Sequence, residues 1–176
     1  EGLKLAYVGD SNNVAVSLLF ACVKFGLHIS LVSPEGYTLT KEALDMSRED
    51  AQAKQLNIVL TDNVQEGVAG ADIVYTDVWT SMGQEQEQKK RLKDLSGYTV
   101  DDAMMKAAGP KAVFMHCLPA FHNNETVIGQ QVADKYGMNG LEVTDEVFES
   151  DYSIVFDEAE NRMHTIKAVM VATLGQ

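Results

Sequence analysis

Five short runs of apolar, β-branched and aromatic residues recur along this 176-residue chain, and helix-like segments separate them. Each run is nearly continuous in hydrophobicity rather than alternating, which is typical of strands covered on both faces of a parallel sheet. The runs span residues 3–8, 29–32, 58–60, 73–75 and 112–115. Because strand and helix alternate, the pattern predicts a doubly wound three-layer α/β sandwich with a mainly parallel five-stranded sheet, a Rossmann-like fold.

The segments between the runs carry helix signals. In residues 13–25 apolar side chains recur at helical spacing, with Asn12 or Asn13 suited to the N-cap and Gly26 to the C-terminal stop. We predict further helices at residues 41–56, 63–68 and 101–108, and a terminal helix over residues 157–176. The long polar stretch between Tyr75 and Asp101 is predicted to contain a charged surface helix.

The composition excludes several classes of partner. The chain has 14 basic and 26 acidic residues, a net charge of -12, which argues against nucleic acid. No run approaches the roughly 20 apolar residues of a membrane span. Two cysteines without a CxxC spacing indicate free thiols in a reducing compartment, so we expect a soluble cytoplasmic protein. The start at Glu1, just before a strand, predicts a piece of a longer protein.

Ligands of doubly wound sheets bind beyond the carboxyl ends of the strands, near the point where the strand order reverses. That rule selects three loops, at residues 9–13, 76–83 and 116–119, which should converge in space. The first, GDSNN, lacks the second and third glycines of a dinucleotide-binding fingerprint, so a nucleotide is disfavoured there. If one asparagine caps the helix, the other amide is left for a ligand.

Several residues in these loops suit either a structural or a functional role. Asp77 is either a turn residue or the partner of an ammonium group. Ser81, Met82 and the following glycine offer a hydroxyl and backbone amides on a segment suited to closing over an acidic group. Cys117 is either a small buried hydrophobe or a thiol whose pKa, ordinarily about 8.5, falls beside a cation, and His116 is either a satisfied core residue or part of that site.

Other candidates favour structural interpretations. Cys22 lies on the apolar stripe of the first helix and is expected to pack there. Arg162, near the start of the terminal helix, is expected to be solvated or paired with an acid such as Glu158. His122 and His164 suit ordinary surface positions, and no spacing of histidine, cysteine and carboxylate matches a metal site.

Taken together, the motifs identify a family. GDSNN, DVWTSMG, HCLPAFH, EVTDEVFES and ENRMHTIKA, in this order and spacing, resemble the second half of ornithine carbamoyltransferase over essentially all 176 residues. The joint occurrence of SMG and HCLP is highly specific. Aspartate carbamoyltransferases share the architecture, but their cysteine loop differs and the SMG loop is absent.

The resemblance implies transfer of a carbamoyl group from carbamoyl phosphate to the side-chain amine of L-ornithine, giving citrulline and phosphate without a cofactor or metal. It implies a cis bond between Leu118 and Pro119. We expect no covalent cysteine intermediate. The implied site residues are Asn13, Asp77, Ser81 and Met82 for the α-amino and α-carboxylate groups of ornithine, His116, Cys117 and Leu118 at the reacting centre, and Arg162 for the carbamoyl oxygen.

One departure from the family concerns what this sequence lacks. The S-T-R-T-R loop and H-P-x-Q motif of the family's first half are not in it. Residues 1–176 are therefore expected to be the ornithine-binding domain, inactive alone, of an enzyme that is a homotrimer. The family's last helix packs across the first half, so the apolar residues of the tail are expected to be exposed, swapped with a neighbour or disordered.

Two alternatives stay open at this point. A carbamoyltransferase for another amine or amino acid differs at Asp77 and the SMG loop, because a substrate without an α-carboxylate has no use for Ser81 and the Met82 amide. A non-catalytic nucleotide-binding Rossmann module predicts binding of adenine nucleotides, which the missing glycines argue against.

Overall fold

The structure is a computed structural model that describes residues 2–80, 83 and 85–175. Its strands are β1 (Lys4–Val8), β2 (His28–Val32), β3 (Ile58–Thr61), β4 (Ile73–Thr76) and β5 (Val113–His116). Its helices are α1 (Asn13–Phe25), α2 (Lys41–Ala53), α3 (Val64–Val68), α4 (Gln88–Leu95), α5 (Asp102–Ala108), α6 (Val127–Tyr136), α7 (Asp145–Phe148) and α8 (Val155–Leu174), with a 3₁₀ turn at Glu85–Glu87 before α4.

The five strands form one sheet in the order β3-β2-β1-β4-β5, and each neighbouring pair is parallel. The chain first builds outward from β1 to β3 and then returns to place β4 on the other side of β1. The strand order therefore reverses between β1 and β4, where such folds bind ligands. The predicted five-stranded, doubly wound fold is confirmed.

Alternate residues of the strands supply two separate cores, because successive side chains of a strand point to opposite faces. Tyr7 and Leu31 pack with α1 and α2 on one face. Val8 and Phe114 pack with α3, α5 and α7 on the other. This arrangement confirms the three layers. A third, smaller cluster lies outside the sheet and consists of Tyr37, Trp79, Leu92, Leu95, Val132 and Leu141.

Short polar residues begin most helices by accepting hydrogen bonds from the first backbone amides. The residues that do so are Asn12, Thr40, Asn63, Asp101, Thr126 and Thr144. Gly26 ends α1 in the left-handed conformation, so the predicted limits of that helix are confirmed at both ends. Helix α2 ends earlier than predicted, because Gln55 adopts a positive φ of 56° just after it.

Besides the early end of α2, two features differ from the sequence-based prediction. Helices α6 and α7 were not predicted, since α6 follows a polar loop and α7 has only four residues. The predicted charged surface helix exists as α4, but it is not wholly at the surface. Arg91, Leu92 and Leu95 are buried on its inner face.

The terminal helix α8 is continuous from Val155 to Leu174 and is largely exposed. Val155 is buried, whereas Phe156, Met163, Ile166, Val169, Met170, Val171 and Leu174 are large apolar residues at the surface. Of the three outcomes expected for the tail, the structure shows an ordered, exposed helix. Within the described residues, no helix is both long and apolar enough to cross a membrane.

Candidate substrate site at the carboxyl edge of the sheet

The three predicted loops start side by side. Val8 is in register with Thr76, and Thr76 with His116, so the residues that follow these three positions leave the sheet at neighbouring points. The Thr76 hydroxyl donates to the Val8 carbonyl at 2.7 Å, which ties the ends of β1 and β4 together. The sheet thus brings together residues that are more than 100 positions apart in the sequence, as from Asn13 to Cys117.

The first loop presents one asparagine inward and one outward. Asn12 caps α1, because its Oδ1 accepts from the amides of Val14 at 2.9 Å and Ala15 at 3.4 Å. Asn13 is exposed at the first position of the helix. Gly9 has a φ of 127°, which an L-residue rarely adopts, at the point where the strand turns into this loop. The prediction that one of the two asparagines caps α1 is confirmed, and the capping residue is Asn12.

Asp77 lies at the centre of the site and is only 7% exposed. Its Oδ2 accepts from the Asn12 amide at 2.7 Å. Its Oδ1 accepts from the backbone N–H of Val78 at 2.8 Å and from the Cys117 thiol at 3.0 Å. A carboxylate offers about four acceptor positions, so these three bonds orient Asp77 and leave about one position for a ligand.

Cys117 carries a protonated thiol in this environment. Burial of the sulfur raises its pKa to about 12, and the hydrogen bond to Asp77 and the negative charges of Asp77 and Glu158 act in the same direction. The residue still has exposed surface, so the thiol faces both the carboxylate and the solvent. The sequence left open a pKa lowered by a cation; here burial and the negative charges of Asp77 and Glu158 prevail, and the pKa rises.

His116 is turned away from the open site. It is 1% exposed, its Nδ1 accepts from the backbone N–H of Leu118 at 3.0 Å, and its Nε2 lies 3.2 Å from Oε1 of Glu142. Since Nδ1 accepts a hydrogen bond, Nε2 carries the ring proton and donates a hydrogen bond to Glu142. Both ring nitrogens are committed within the protein. This geometry favours His116 as a residue that positions the loop, and a direct catalytic role stays a prediction.

Glu142 fixes this loop from beneath. It is fully buried, and Oε1 also accepts from the backbone N–H of Phe121 at 2.7 Å. Glu142 is held in turn by its own carbonyl, which accepts from the Val100 amide at 2.9 Å. The Leu118–Pro119 bond is cis, as the resemblance implied, and it lies between His116 and Phe121, the two residues that Glu142 holds.

Two adjoining pockets open at this edge. One, of about 520 Å³, has Asn13, Asp77 and Leu118 in its wall, together with apolar groups such as Phe121 and Ile128. The other, of about 500 Å³, has Cys117, Leu118 and Arg162 in its wall. Leu118 belongs to both, and the bond between Asp77 and Cys117 joins them.

Arg162 reaches the second pocket from α8, where it is exposed. Glu158, the acid considered as its partner, is engaged elsewhere. Its Oε1 accepts from the Tyr75 hydroxyl at 2.7 Å and its Oε2 from the backbone N–H of His116 at 3.0 Å. The guanidinium is thereby available to the pocket. Ser81 and Met82, also predicted for the site, lie outside the described residues.

Sequence reasoning missed Glu142, and it considered Glu158 only as a partner of Arg162 rather than of Tyr75 and His116. Glu142 is the first residue of EVTDEVFES and Glu158 lies two residues before ENRMHTIKA, but neither follows a strand end. An acid between apolar neighbours, as in Gly-Leu-Glu-Val, was the available signal for Glu142, because a charged residue is rarely buried without a partner.

The fold also assembles groups that the sequence spacing did not indicate as metal ligands. Donor atoms of Asp77, His116 and Cys117 lie within 4.8 Å of one another, as do those of His122, Asp145 and Glu149. In the first group both His116 nitrogens already bond within the protein. In the second, Asp145 accepts from His122 at 2.6 Å and from the Asn123 amide at 2.9 Å, and these bonds lower the pKa of Asp145.

Fold and site together define a doubly wound α/β domain with a polar candidate site at its switch point. The chain matches the family model described as aspartate/ornithine carbamoyltransferase, Asp/Orn binding domain, over residues 1–173. It belongs to that family.

Solved structures of similar proteins agree with this assignment. The ornithine carbamoyltransferase from Pyrococcus furiosus is 38% identical with a TM-score of 0.85, and the match covers 99% of this chain and 50% of that one. The enzyme from Gloeobacter violaceus is 38% identical with a TM-score of 0.82, covering 99% and 52%. The anabolic enzyme from Campylobacter jejuni is 32% identical with a TM-score of 0.80, covering 96% and 50%. The chain therefore spans about half the length of these relatives.

Proposed function

We propose that residues 1–176 are the ornithine-binding domain of an enzyme that transfers the carbamoyl group of carbamoyl phosphate to the side-chain amine of L-ornithine. The observation that carries the proposal is the arrangement of Asn13, Asp77 and Cys117 around two joined pockets at the switch point. Membership of the carbamoyltransferase family and the titles of the solved relatives support it.

The charges at the site favour a diamino acid. Asp77, Glu158 and Glu142 are all acidic and lie around the HCLP loop, so an ammonium group entering here is attracted. Aspartate would add a second carboxylate to this acidic surface, which is unfavourable. We assign the α-ammonium of ornithine to Asp77 and the α-carboxylate to Asn13 and to Ser81 and Met82.

The reaction is assigned to the second pocket. The side-chain ammonium loses one proton to solvent, its nitrogen attacks the carbonyl carbon of carbamoyl phosphate, and the carbon–oxygen bond to phosphate breaks with its electron pair leaving on phosphate. The second proton of the amine ends on the departing phosphate. Arg162 faces the pocket where negative charge develops on the carbonyl oxygen and is placed to stabilise it.

Cys117 is assigned to orienting the amine. Because its thiol is protonated and donates to Asp77, it is a poor nucleophile, whereas its lone pairs are free to accept a hydrogen bond from the attacking nitrogen. This agrees with a reaction without a cysteine intermediate. His116 and Glu142 hold the loop in place and leave Leu118 and Cys117 at the pocket.

The remaining assignments concern the whole enzyme. The carbamoyl phosphate site needs the family's first half, so the chain alone is expected to bind ornithine weakly and to be inactive. The parent enzyme is expected to be a homotrimer. Its proposed location is the cytoplasm, for which the two unpaired cysteines are the supporting observation.

A complementation assay tests the proposal. The chain is mixed with a separately produced first half of the family, and citrulline formation is measured for wild type, Asp77→Ala and Cys117→Ala. We expect activity only in the mixture, with both substitutions lowering it by about a hundredfold or more, the usual scale for a lost positioning contact. Undiminished activity in both variants would contradict the site assignment.

Replacing ornithine in the same assay separates the alternatives. Activity with aspartate or with a simple diamine, and none with ornithine, would support another carbamoyltransferase. Binding of adenine nucleotide to the chain would support the non-catalytic alternative. The structure offers that alternative little, because the first amides of α1 already donate to Asn12 instead of being free for a phosphate.

A further inference from the structure

Helix α4 carries a buried arginine to which the proposed function assigns no role. Arg91 is 8% exposed, and its NH1 lies 2.5 Å from Oδ2 of Asp10 and 3.1 Å from the carbonyl oxygen of Trp79. Its Nε lies 3.1 Å from Glu87. The guanidinium therefore bonds to residues of two different substrate loops, since Asp10 belongs to the first loop and Trp79 to the second.

The aromatic neighbour of Arg91, Tyr37, also connects α4 to the first loop. The guanidinium carbon lies 5.3 Å from the ring centre of Tyr37, within the range of a cation–π contact. The Tyr37 hydroxyl donates to Asp94 at 3.0 Å, and its backbone carbonyl accepts from the Ser11 amide at 2.9 Å. Tyr37 thus joins α4 to the first loop by a second, independent route.

Each of the loops that Arg91 contacts leads directly to Asp77. The Asp10 carbonyl accepts from the Tyr7 hydroxyl at 2.7 Å, and two residues later Asn12 donates to Asp77. Trp79 lies two residues after Asp77 in the second loop. A shift of either loop would change the three hydrogen bonds that orient the Asp77 carboxylate.

Helix α4 also forms part of the pocket itself. Gln88 lines the same pocket as Asn13 and Asp77, and it precedes Arg91 by three residues, which places the two on one side of the helix. Arg91, together with the buried Leu92 and Leu95, therefore packs the helix that carries Gln88 into the pocket wall.

We propose that Arg91 is a positioning residue for the substrate pocket, acting through its ion pair with Asp10 and its hydrogen bond to the Trp79 carbonyl. It holds the first two loops and α4 in the arrangement that orients Asp77. The proposal rests on the proposed function for the identity of the ligand, but the arrangement it describes is measurable without any ligand. NH1 makes both loop contacts while Nε bonds to Glu87, just before α4, so the guanidinium uses two nitrogens in a fixed plane, which the single nitrogen of a lysine does not reproduce.

The first test needs no substrate. Arg91→Gln, Arg91→Lys and the control Arg48→Gln are compared for the alkylation rate of Cys117, in a Cys22→Ala background, and for hydrogen exchange of the Val78 amide. Both probes report on bonds to Asp77. Arg48 pairs with Asp45 on the exposed side of α2, so its variant removes the same charge away from the pocket.

We expect Arg91→Gln to raise both rates by about tenfold, Arg91→Lys to give intermediate values because it keeps the charge and loses the fork, and Arg48→Gln to match the wild type. Rates in both Arg91 variants equal to those of Arg48→Gln would overturn the proposal. If Arg91→Gln does not fold, as judged by far-UV circular dichroism, the comparison of Arg91→Lys with Arg48→Gln decides it by the same criterion.

The second test uses the complemented or full-length enzyme. A positioning role predicts that Arg91→Lys raises the KM for ornithine by about tenfold while kcat changes less than about threefold, whereas a purely structural role lowers the amount of folded enzyme and leaves KM unchanged. An unchanged KM would overturn the proposal. If the wild type shows no activity with ornithine, the proposed function fails, and the ligand-free rates still decide the role of Arg91.

Discussion

The carboxyl edge of the sheet and the terminal helix α8 differ in how their side chains are accommodated. At the edge, Asp77, His116 and Glu142 are buried, and each bonds to several other groups within the domain. On α8, only the first turn is held by the domain, through Val155 and Glu158, and the apolar residues beyond it are exposed, as with Ile166 at 49% and Leu174 at 75%. The polar groups of the edge thus find most of their partners within this domain, whereas the apolar side chains of α8 do not.

The contrast shows how far each region depends on groups from outside the domain. The polar groups of the edge orient one another within the domain before a ligand arrives. Helix α8 exposes an apolar surface that single domains rarely leave uncovered. Four experiments test this difference, and they are described from the largest expected effect to the smallest.

The strongest test is the removal of Glu142. Glu142→Ala leaves the His116 Nε2–H and the Phe121 amide without their acceptor inside the protein, so we expect the free energy of unfolding to fall by about 3–5 kcal/mol. Glu142→Gln keeps the volume and a carbonyl oxygen and should cost about 1 kcal/mol. Urea unfolding of the wild type, Glu142→Ala and Glu142→Gln measures these free energies. Equal losses in both variants would show that the hydrogen bonds accepted by Glu142 contribute little to stability.

The second test concerns the protonation of Cys117. Because its pKa is raised to about 12, alkylation in a Cys22→Ala background should be slow near neutral pH and increase about tenfold per pH unit well into the alkaline range. Asp77→Asn removes a negative charge and a carboxylate acceptor, so the pKa should fall and the rate at a given pH should rise. A rate that levels off near the ordinary pKa of about 8.5 in wild type would contradict the environment described here.

The third test examines whether α8 promotes association. If its apolar surface is covered by a second copy, light scattering after size-exclusion chromatography should show a species larger than a monomer at high concentration. Ile166→Glu with Met170→Glu should then return it to a monomer, since both positions lie on the exposed surface. Glu160→Gln on the same helix is the control. A strictly monomeric wild type with an ordered tail would show that the exposed helix is tolerated without a partner.

The fourth test concerns two exposed apolar residues of α8, whose replacement should hardly change the free energy of unfolding. Val169→Ser and Met170→Gln should each change the free energy of unfolding by less than about 0.5 kcal/mol in monomeric protein, because the side chains are exposed. Leu19→Ala, in the core under α1, should cost about 2–5 kcal/mol by comparison. A loss for the α8 variants close to that of Leu19→Ala would mean that α8 packs on the domain in solution.

Much of the fold followed from the sequence because its signals are local. The five strands were predicted within a residue or two of each end, since continuous apolar runs of that length suit buried parallel strands. Helix α1 was predicted at both ends because Asn12 and Gly26 mark them. Helices α6 and α7 were not, as α7 is a single turn and α6 has only a narrow apolar face.

The site was predictable to a smaller extent. The loops were found from their position after the strands, and Asp77 and Cys117 do meet there. The inward direction of His116 was left open, because it depends on Glu142, 26 residues later in the chain. The buried state of Arg91 was missed, since its partner Asp10 lies in another loop and nothing near Arg91 in the sequence distinguishes it from the other basic residues of α4.

The sequence by itself determined the alternation of strands and helices, the caps of α1 and the choice of three loops, because hydrophobic periodicity and capping act between residues a few positions apart. Only the tertiary structure decided which side chains those loops turn inward. It gave Asp77 its three donors, raised the pKa of Cys117 by burial and by the nearby carboxylates, and buried Arg91 between two loops. These properties depend on distances between residues far apart in the chain, and the strand order of the sheet sets those distances.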